Sequence, residues 1–554
     1  MRLLLGKVLL IILCITAIFG FVYVDIKSEQ DLTQQELAFS LGDEIIYAWQ
    51  SEDMTYLFLP SYADMRDVKV AGFGQEFYVK ESDTFYKRGD SLGAIPLNLA
   101  LNCSKEGEEA TFRFCVMKSE NLPTMFIETD SGTLDNIRMD KMVEENGRVQ
   151  VYDVNGELLY AGGLSSIKGR GNTSFINYEK KPLSITTKDV VSLLGLGAGQ
   201  KYALLSNSSD TTLVRNDIAR NMEAALETEY DNCGIFVDLY ANGEYFGNYY
   251  LCETIEIGPE RINITNLEAQ MDTVYQHSNY ASLEDYVTNV SKGKYMDVNP
   301  ADITGGYLVE REYTERFQLE YNEIPSAFTT KAEEHFVVKS PLYCSDEQIT
   351  YIASYFEEAE TAILNRDGIN EETGKAYDEY IDVESFAKKY LVEEVTKNYD
   401  AGVTSAFYYK DADAIDGRIK TGPVWDSDLT FGNGLEWMTD FSKDPEGISK
   451  LAFNGNKSTW FETLCEKEEF QRLVCTEYAQ KVSPYLEELL ANGIEQYETT
   501  LAASSKMNEI RWKIDFENNP DYKNRETAFA ELKQFIEARK RYLDNEWVTE
   551  WNIE

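Results

Sequence analysis

Asp426 and Asp428 stand two residues apart in GPVWDSDLTFGN, Gly422 to Asn433, between an apolar entry and a glycine exit. On an extended strand, residues i and i+2 share a face, and two carboxylates held there repel unless a cation lies between them. Mg²⁺ suits such a pair, keeping several waters and taking its other ligands from substrate phosphates. The same residues also suit an Asx-type turn ahead of LTFGNG, and D-x-D alone does not separate the two. Asp400, in TKNYDAGVTSAFYYKD, follows a helical pattern whose C-terminal dipole disfavours a carboxylate, which favours a functional placement over a solvated loop aspartate. Only one hairpin separates Asp400 from Asp426, so both are expected at neighbouring strand ends facing one cleft.

Further upstream, IKGRGNTSF joins two strand-like segments, with Gly169 and Gly171 flanking Arg170. Such a turn offers backbone N–H groups and a guanidinium to an anion, although a plain tight hairpin accounts for the same residues. KKPLSI follows, and strand alternation points one of Lys180 and Lys181 inward as a phosphate clamp. Histidine is confined to His277 and His335, neither with a nucleophile or ligand at useful spacing, so the chemistry falls to carboxylates and lysines. Cysteines outside the N-terminal run are odd in number and lack any C-x-x-C, which argues against a thiolate zinc site and a complete disulfide framework. Cys103 with Cys115, across a hairpin, and Cys465 with Cys475, across a helical hairpin, are the expected pairings.

The elements that position these residues read as an α+β chain of 554 residues. Residues 25 to 50 have the texture of an amphipathic helix or linker, and 65 to 120 that of a small β-rich module. Strand texture continues from Leu122 to the hairpin CGIFVDLYANGEYFGNYYLCETIEI, turning at Asn-Gly. Between them, Ser209 or Asp210 is expected to cap a helix with Leu213, Ile218, Met222 and Leu226 on one face. Residues 265 to 302 read as a loop or insertion. Helices are expected at 346–365 and 380–398, then a strand pair (SAFYYKD, GRIKTGPVWDSD), then helices to the C-terminus. At the N-terminus, Arg2 and Lys7 precede an apolar run from Val8 to Val24, read as an uncleaved signal anchor with the remainder outside the cytoplasm. Cys14 lies in this run without the small residue that precedes a lipoprotein cysteine, so it reads as a membrane thiol. A net charge of −44 opposes nucleic-acid binding, while 43% hydrophobic residues supply too much buriable surface for disorder.

The ordered set IKGRGNTSF…KKPLSI, LLSNSSDTTLVRNDIARNM, VDLYANGEYFGNYYLCE, GGYLVERE, YIDVESFAKKYLVEEVTKNYDA, SAFYYKD and GPVWDSDLTFGN resembles the CotH kinase family, the spore-coat protein H type of atypical protein kinase. The resemblance covers roughly Leu122 to Trp547. It implies a divergent bilobal protein-kinase-like fold that transfers the γ-phosphoryl group of ATP to Ser or Thr of secreted, spore-coat or cell-surface proteins, with Mg²⁺ or Mn²⁺. By the same resemblance, Arg170, Gly171 and Asn172 form the phosphate-covering loop. Lys181, or Lys180 in its place, pairs with the phosphates. Arg215 and Asn216 lie on the regulatory helix, and Glu253 is its acidic counterpart or part of the hinge. Asp400 orients or deprotonates the acceptor hydroxyl, and Asp426 and Asp428 hold metal. Ordinary kinase signatures are missing: there is no Gly-x-Gly-x-x-Gly, no His-Arg before Asp400 and no Asn just after it, leaving Thr404, Ser405 or Asn398 as substitutes. The expected domains are a signal anchor (1–27), a linker and β-rich module (28–121) and the kinase-like domain (122–550). Two rival readings are a non-catalytic kinase-like surface, adhesion or envelope-assembly module, and a glycan hydrolase using Asp400 and one of the later aspartates.

Overall fold

Alternating apolar and polar residues, broken at turns, build strands through the first half of the chain, and helical periodicity dominates the last third. The computed structural model describes residues 37–51, 54–72, 76–105, 111–275, 299–313, 326–401, 404–434, 440–453, 456–512 and 524–553. The apolar run Val8–Val24, Cys14 and His277 lie outside them. Among the described residues no helix is long and apolar enough to cross a membrane. The chain is α+β and falls into two compact units.

The first unit comprises Met1–Gly169, Phe236–Tyr249 and Thr500–Lys513. Its strands Thr55–Leu59 and Thr111–Lys118 pair in parallel, and Leu101–Lys105 and Phe77–Val79 extend the sheet antiparallel. A meander of Thr124–Thr129, Glu144–Tyr152 and Leu158–Gly169 forms a further set of ladders. Phe39, Phe58, Phe77, Phe114 and Tyr245 share one apolar core. Residues 38–50 form strands instead of the expected amphipathic helix or linker, because Gly42, at φ 59°, turns Ala38–Leu41 back onto Glu44–Tyr47.

The second unit comprises Arg170–Ile235, Tyr250–Thr499 and Ile514–Glu554. Leu183–Val191 pairs with Gly199–Leu205, which pairs in turn with Tyr250–Glu253. A separate antiparallel sheet runs Ala327–Thr329, His335–Ser340, Tyr307–Glu312, Ala406–Lys410, Ile419–Thr421. Helix Asp346–Leu364 starts at a capping box between Ser345 and Gln348, and helix Val383–Thr396 at Asp382, whose carboxylate accepts the Ser385 N–H at 2.9 Å. Phe336, Phe356, Phe386, Tyr408 and Trp460 interlock between sheet and helices with ring centroids 5.0–6.4 Å apart. Leu267–Tyr275, expected as loop, is a helix.

The two expected disulfides are absent: all seven cysteines of the described residues are free thiols. Cys103 pairs across the ladder with Phe112, and Leu101 with Phe114, so Cys115 is offset by three residues from the position opposite Cys103. That offset exceeds the reach of a disulfide. Cys465 and Cys475 are each buried in the helical core, where burial pushes both thiols up to about 12.

Candidate functional site

Helix Val383–Thr396 ends where Lys397 turns left-handed at φ 51°, and Asp400 sits half-buried three residues further on, its N–H donated to Asn398 Oδ1 at 3.1 Å. Strand Ile419–Thr421 ends at Gly422, whose φ of 118° favours glycine, and residues 422–430 continue as irregular backbone. Two backbone hydrogen bonds lay this loop beside the Asp400 turn: Phe431 N–H donates to Thr396 O at 2.7 Å and Tyr399 N–H to Leu429 O at 3.4 Å. The aspartate pair is therefore not on a strand face as expected. Asp426, at φ 62°, is exposed, whereas Asp428 is half-buried. Ser405 Oγ reaches Asp426 Oδ2 at 3.5 Å.

A third element holds the loop from the other side. Helix Arg215–Ala225 begins five residues beyond the expected cap, yet Asp210 still serves its first turn by accepting the Arg215 N–H at 2.9 Å. Asp210 also ion-pairs with the Arg215 side chain, both fully buried, and Arg215 Nε donates to Thr430 O at 3.0 Å. Asn216 Oδ1 accepts the Ser427 N–H at 2.8 Å, and Glu223 Oε1 the Val424 N–H at 2.8 Å. Ser209, just before the helix, donates its hydroxyl to Asp428 Oδ2. Asn433 closes the loop by donating to Asp428 O at 2.7 Å and Ser209 O at 3.0 Å.

Arg170 is half-buried, with its guanidinium 4.7 Å from the centre of the Trp425 ring; Arg220 lies 5.0 Å from the centre of the same ring. Arg170 Nη1 is buried and has no hydrogen-bond partner among the described residues. Burial lowers the Arg170 pKa, and the nearby Asp426 carboxylate is among the charges that oppose this. Gly171, at φ 75°, turns the chain into the short helix Thr173–Asn177, which starts at Asn172. The two lysines separate. Lys180 is buried and donates to Ser206 O at 2.8 Å, while Ser208 Oγ donates back to Lys180 O at 3.0 Å, which joins Lys180 to the segment carrying Ser209. Lys181 is half-buried over the Phe175 ring at 5.0 Å and donates to Phe175 O. Glu253 ion-pairs with Arg261 at 3.2 Å and accepts the Gly197 N–H.

The Asp428 carboxyl is pushed up to about 7, first by burial, then by the negative charge of Asp426, with Asp400 adding to it and the Ser209 hydroxyl opposing. No arginine or lysine of the described residues forms an ion pair with Asp426 or Asp428. No group of three or more His, Cys, Asp or Glu among the described residues is arranged to hold a metal alone. Two mutually repelling carboxylates held in no ion pair nevertheless fit a hard divalent ion that completes its shell with water and phosphate oxygens. Trp425, Arg220 and Glu223 carried no functional signal in the sequence, and Ser209 stood out only as a possible helix cap, since their partners lie far away in the chain; the pairing of Ser209 with Asp428 spans 219 residues.

The fold and these loops define an α+β protein whose acidic loop, helix-end aspartate and unpaired guanidinium N–H converge within one unit. The family model described as CotH kinase protein matches residues 167–543, and the chain belongs to that family. A search among curated proteins finds no match.

Proposed function

We propose that the chain is an ATP- and Mg²⁺-dependent kinase of protein Ser or Thr hydroxyls, built on a divergent bilobal kinase-like fold spanning 122–550 after a module at 28–121. The convergence of Asp400, the Asp426–Asp428 loop and the unpaired Arg170 Nη1 carries this reading. Asp426 and Asp428 would hold the cation, Mn²⁺ serving in place of Mg²⁺. A cation held there would neutralise charge on the nucleotide's phosphate oxygens. Arg170 supplies an N–H to a phosphate oxygen and is held by stacking on Trp425. Gly171 and Asn172 belong to the same turn, and Lys180 or Lys181 adds a positive charge. Glu253 orders the far end of its strand through Arg261. Asp400 accepts the hydrogen bond of the acceptor hydroxyl and orients it for in-line attack. No step needs histidine.

The positively flanked apolar run Val8–Val24 supports a membrane-anchored location outside the cytoplasm, with a cleaved and secreted form as the variant, and a Ser/Thr-rich surface or coat protein as substrate. The test incubates purified protein with labelled ATP, Mg²⁺ or Mn²⁺ and a Ser-rich peptide, alongside Asp400→Asn and Asp426→Asn. Transfer by the wild type and at least a hundredfold loss in both variants is expected. Absence of transfer under either metal, together with no thermal stabilisation by Mg²⁺·ATP, sinks the enzyme reading.

A further inference from the structure

Residues 422–430 lie outside any strand ladder, so their backbone groups must find partners elsewhere. One helix provides several of them in order. Arg215 takes Thr430 O, Asn216 takes Ser427 N–H, the Arg220 guanidinium faces the Trp425 ring, and Glu223 takes Val424 N–H. Positions 216, 220 and 223 follow the i, i+4, i+7 spacing of one helical stripe, and the loop runs antiparallel along it. Ser427 is the residue between the two aspartates, and its N–H is buried. Asn216 is itself locked: its Nδ2 donates to Asn207 Oδ1 at 3.0 Å, and Asn207 Nδ2 donates to Leu213 O at 2.8 Å. Flipping the Asn216 amide would set its NH₂ against the Ser427 N–H and its oxygen against Asn207 Oδ1, so only one orientation satisfies both ends.

We infer that helix Arg215–Ala225 fixes the metal-holding geometry of the Asp426–Asp428 loop, with Asn216 and Glu223 as positioning residues. The inference rests on the reading of Asp426 and Asp428 as the pair that holds metal. Asn216 anchors the peptide between the carboxylates, Glu223 anchors the entry two residues before Asp426, and neither touches the ion. Partners at this remove from a metal typically set affinity by about 10- to 100-fold.

Direct Mn²⁺ binding to the full chain, read by electron paramagnetic resonance at fixed ionic strength, tests this without relying on turnover. The wild type is compared with Asn216→Leu, Glu223→Leu and Glu223→Gln, and the double variant Asp426→Asn/Asp428→Asn supplies the background. Asn216→Leu and Glu223→Leu are expected to weaken Mn²⁺ binding by about 10-fold or more. Glu223→Gln keeps the oxygen that accepts the Val424 N–H and should bind within about twofold of the wild type, because the bond it preserves is the one the inference invokes. Wild-type affinity in both leucine variants overturns the positioning role alone. Wild-type binding no stronger than that of the double aspartate variant overturns the metal reading beneath it. If circular dichroism shows Asn216→Leu unfolded, the contrast between Glu223→Leu and Glu223→Gln decides, and equal weakening in those two counts against the inference.

Discussion

Glu223 holds its carboxyl in a nearly dry place, 2% exposed, with one oxygen on Val424 N–H and the other without a hydrogen-bond partner. Burial pushes it up from 4.5 to about 8, against the attraction of Lys389 and the Val424 N–H. The folded protein therefore keeps a proton that the unfolded chain gives up near 4.5. Between those two values the contribution of this group to stability falls as pH rises, by at most about 1.4 kcal/mol per pH unit, and it levels off once the folded carboxyl has ionised near pH 8. Glu223→Gln removes the proton but keeps the acceptor. Urea midpoints measured from pH 5 to 9 should show the wild type losing stability relative to Glu223→Gln up to about pH 8, with a constant gap above it. Parallel curves would mean that Glu223 is ionised throughout and that Lys389 dominates its surroundings. Asp210 matters as an ion-pair partner, because Arg215 is fully buried and permanently charged. Asp210→Ala strands that guanidinium and should cost about 3–5 kcal/mol, seen as a drop in the denaturant midpoint.

At the scale of elements, the end of helix Val383–Thr396 decides where Asp400 lies, and that end is held by the C-terminal helix Arg525–Leu543. The buried Arg539 of this helix donates to Glu394 O at 2.7 Å, Glu394 Oε1 at 3.0 Å, Pro445 O at 3.0 Å and Gly447 O at 2.7 Å. One guanidinium thus satisfies a last-turn carbonyl of the helix, a buried carboxylate and the crossing 445–447 segment. Arg539→Met should cost about 3–5 kcal/mol, and Arg539→Lys should recover only part of that because a single ammonium cannot reach all four acceptors. Equal stability of Arg539→Met and wild type in urea would refute this account. Helices such as Asp346–Leu364 and Val383–Thr396 were legible within about three residues because periodicity and caps are local signals. The start of helix Arg215–Ala225 was not, because the Asp210 carboxylate also takes Thr212 N–H at 2.9 Å and so winds a turn before the helix. The strand alternation that brought out the aspartate pair failed at the pair itself. The left-handed backbone of Asp426 is imposed by contacts with a helix some two hundred residues earlier, as the separation of 211 between Asn216 and Ser427 records. Resemblance favoured Lys181 over Lys180, yet only the packing shows that Lys180 is the buried one joined to Ser206.

Across the whole molecule, 96 acidic side chains against 52 basic ones leave a net charge of −44, and this field acts on every measurement of metal binding. Among the described residues few acidic side chains are buried, and their surface charge repels itself and draws divalent cations without regard to any site. The Debye length shrinks from about 30 Å at 0.01 M salt to about 8 Å at 0.15 M, so added NaCl should weaken both effects while leaving a short-range, partly buried site less affected. Calorimetry without nucleotide should therefore show the melting temperature rising as NaCl goes from about 0.01 to 0.15 M. Each kcal/mol of relieved repulsion is worth roughly 2–4 °C in domains of a few hundred residues. In the same titration, the part of Mg²⁺ stabilisation that survives Asp426→Asn/Asp428→Asn should fade with salt, and the part that the double variant removes should persist. A melting temperature that falls with NaCl would show that attractive pairs such as Arg148–Glu128 and Lys420–Glu229 outweigh the net repulsion. Mg²⁺ stabilisation that fades at the same rate in wild type and double variant would assign all of it to the diffuse field and none to the loop.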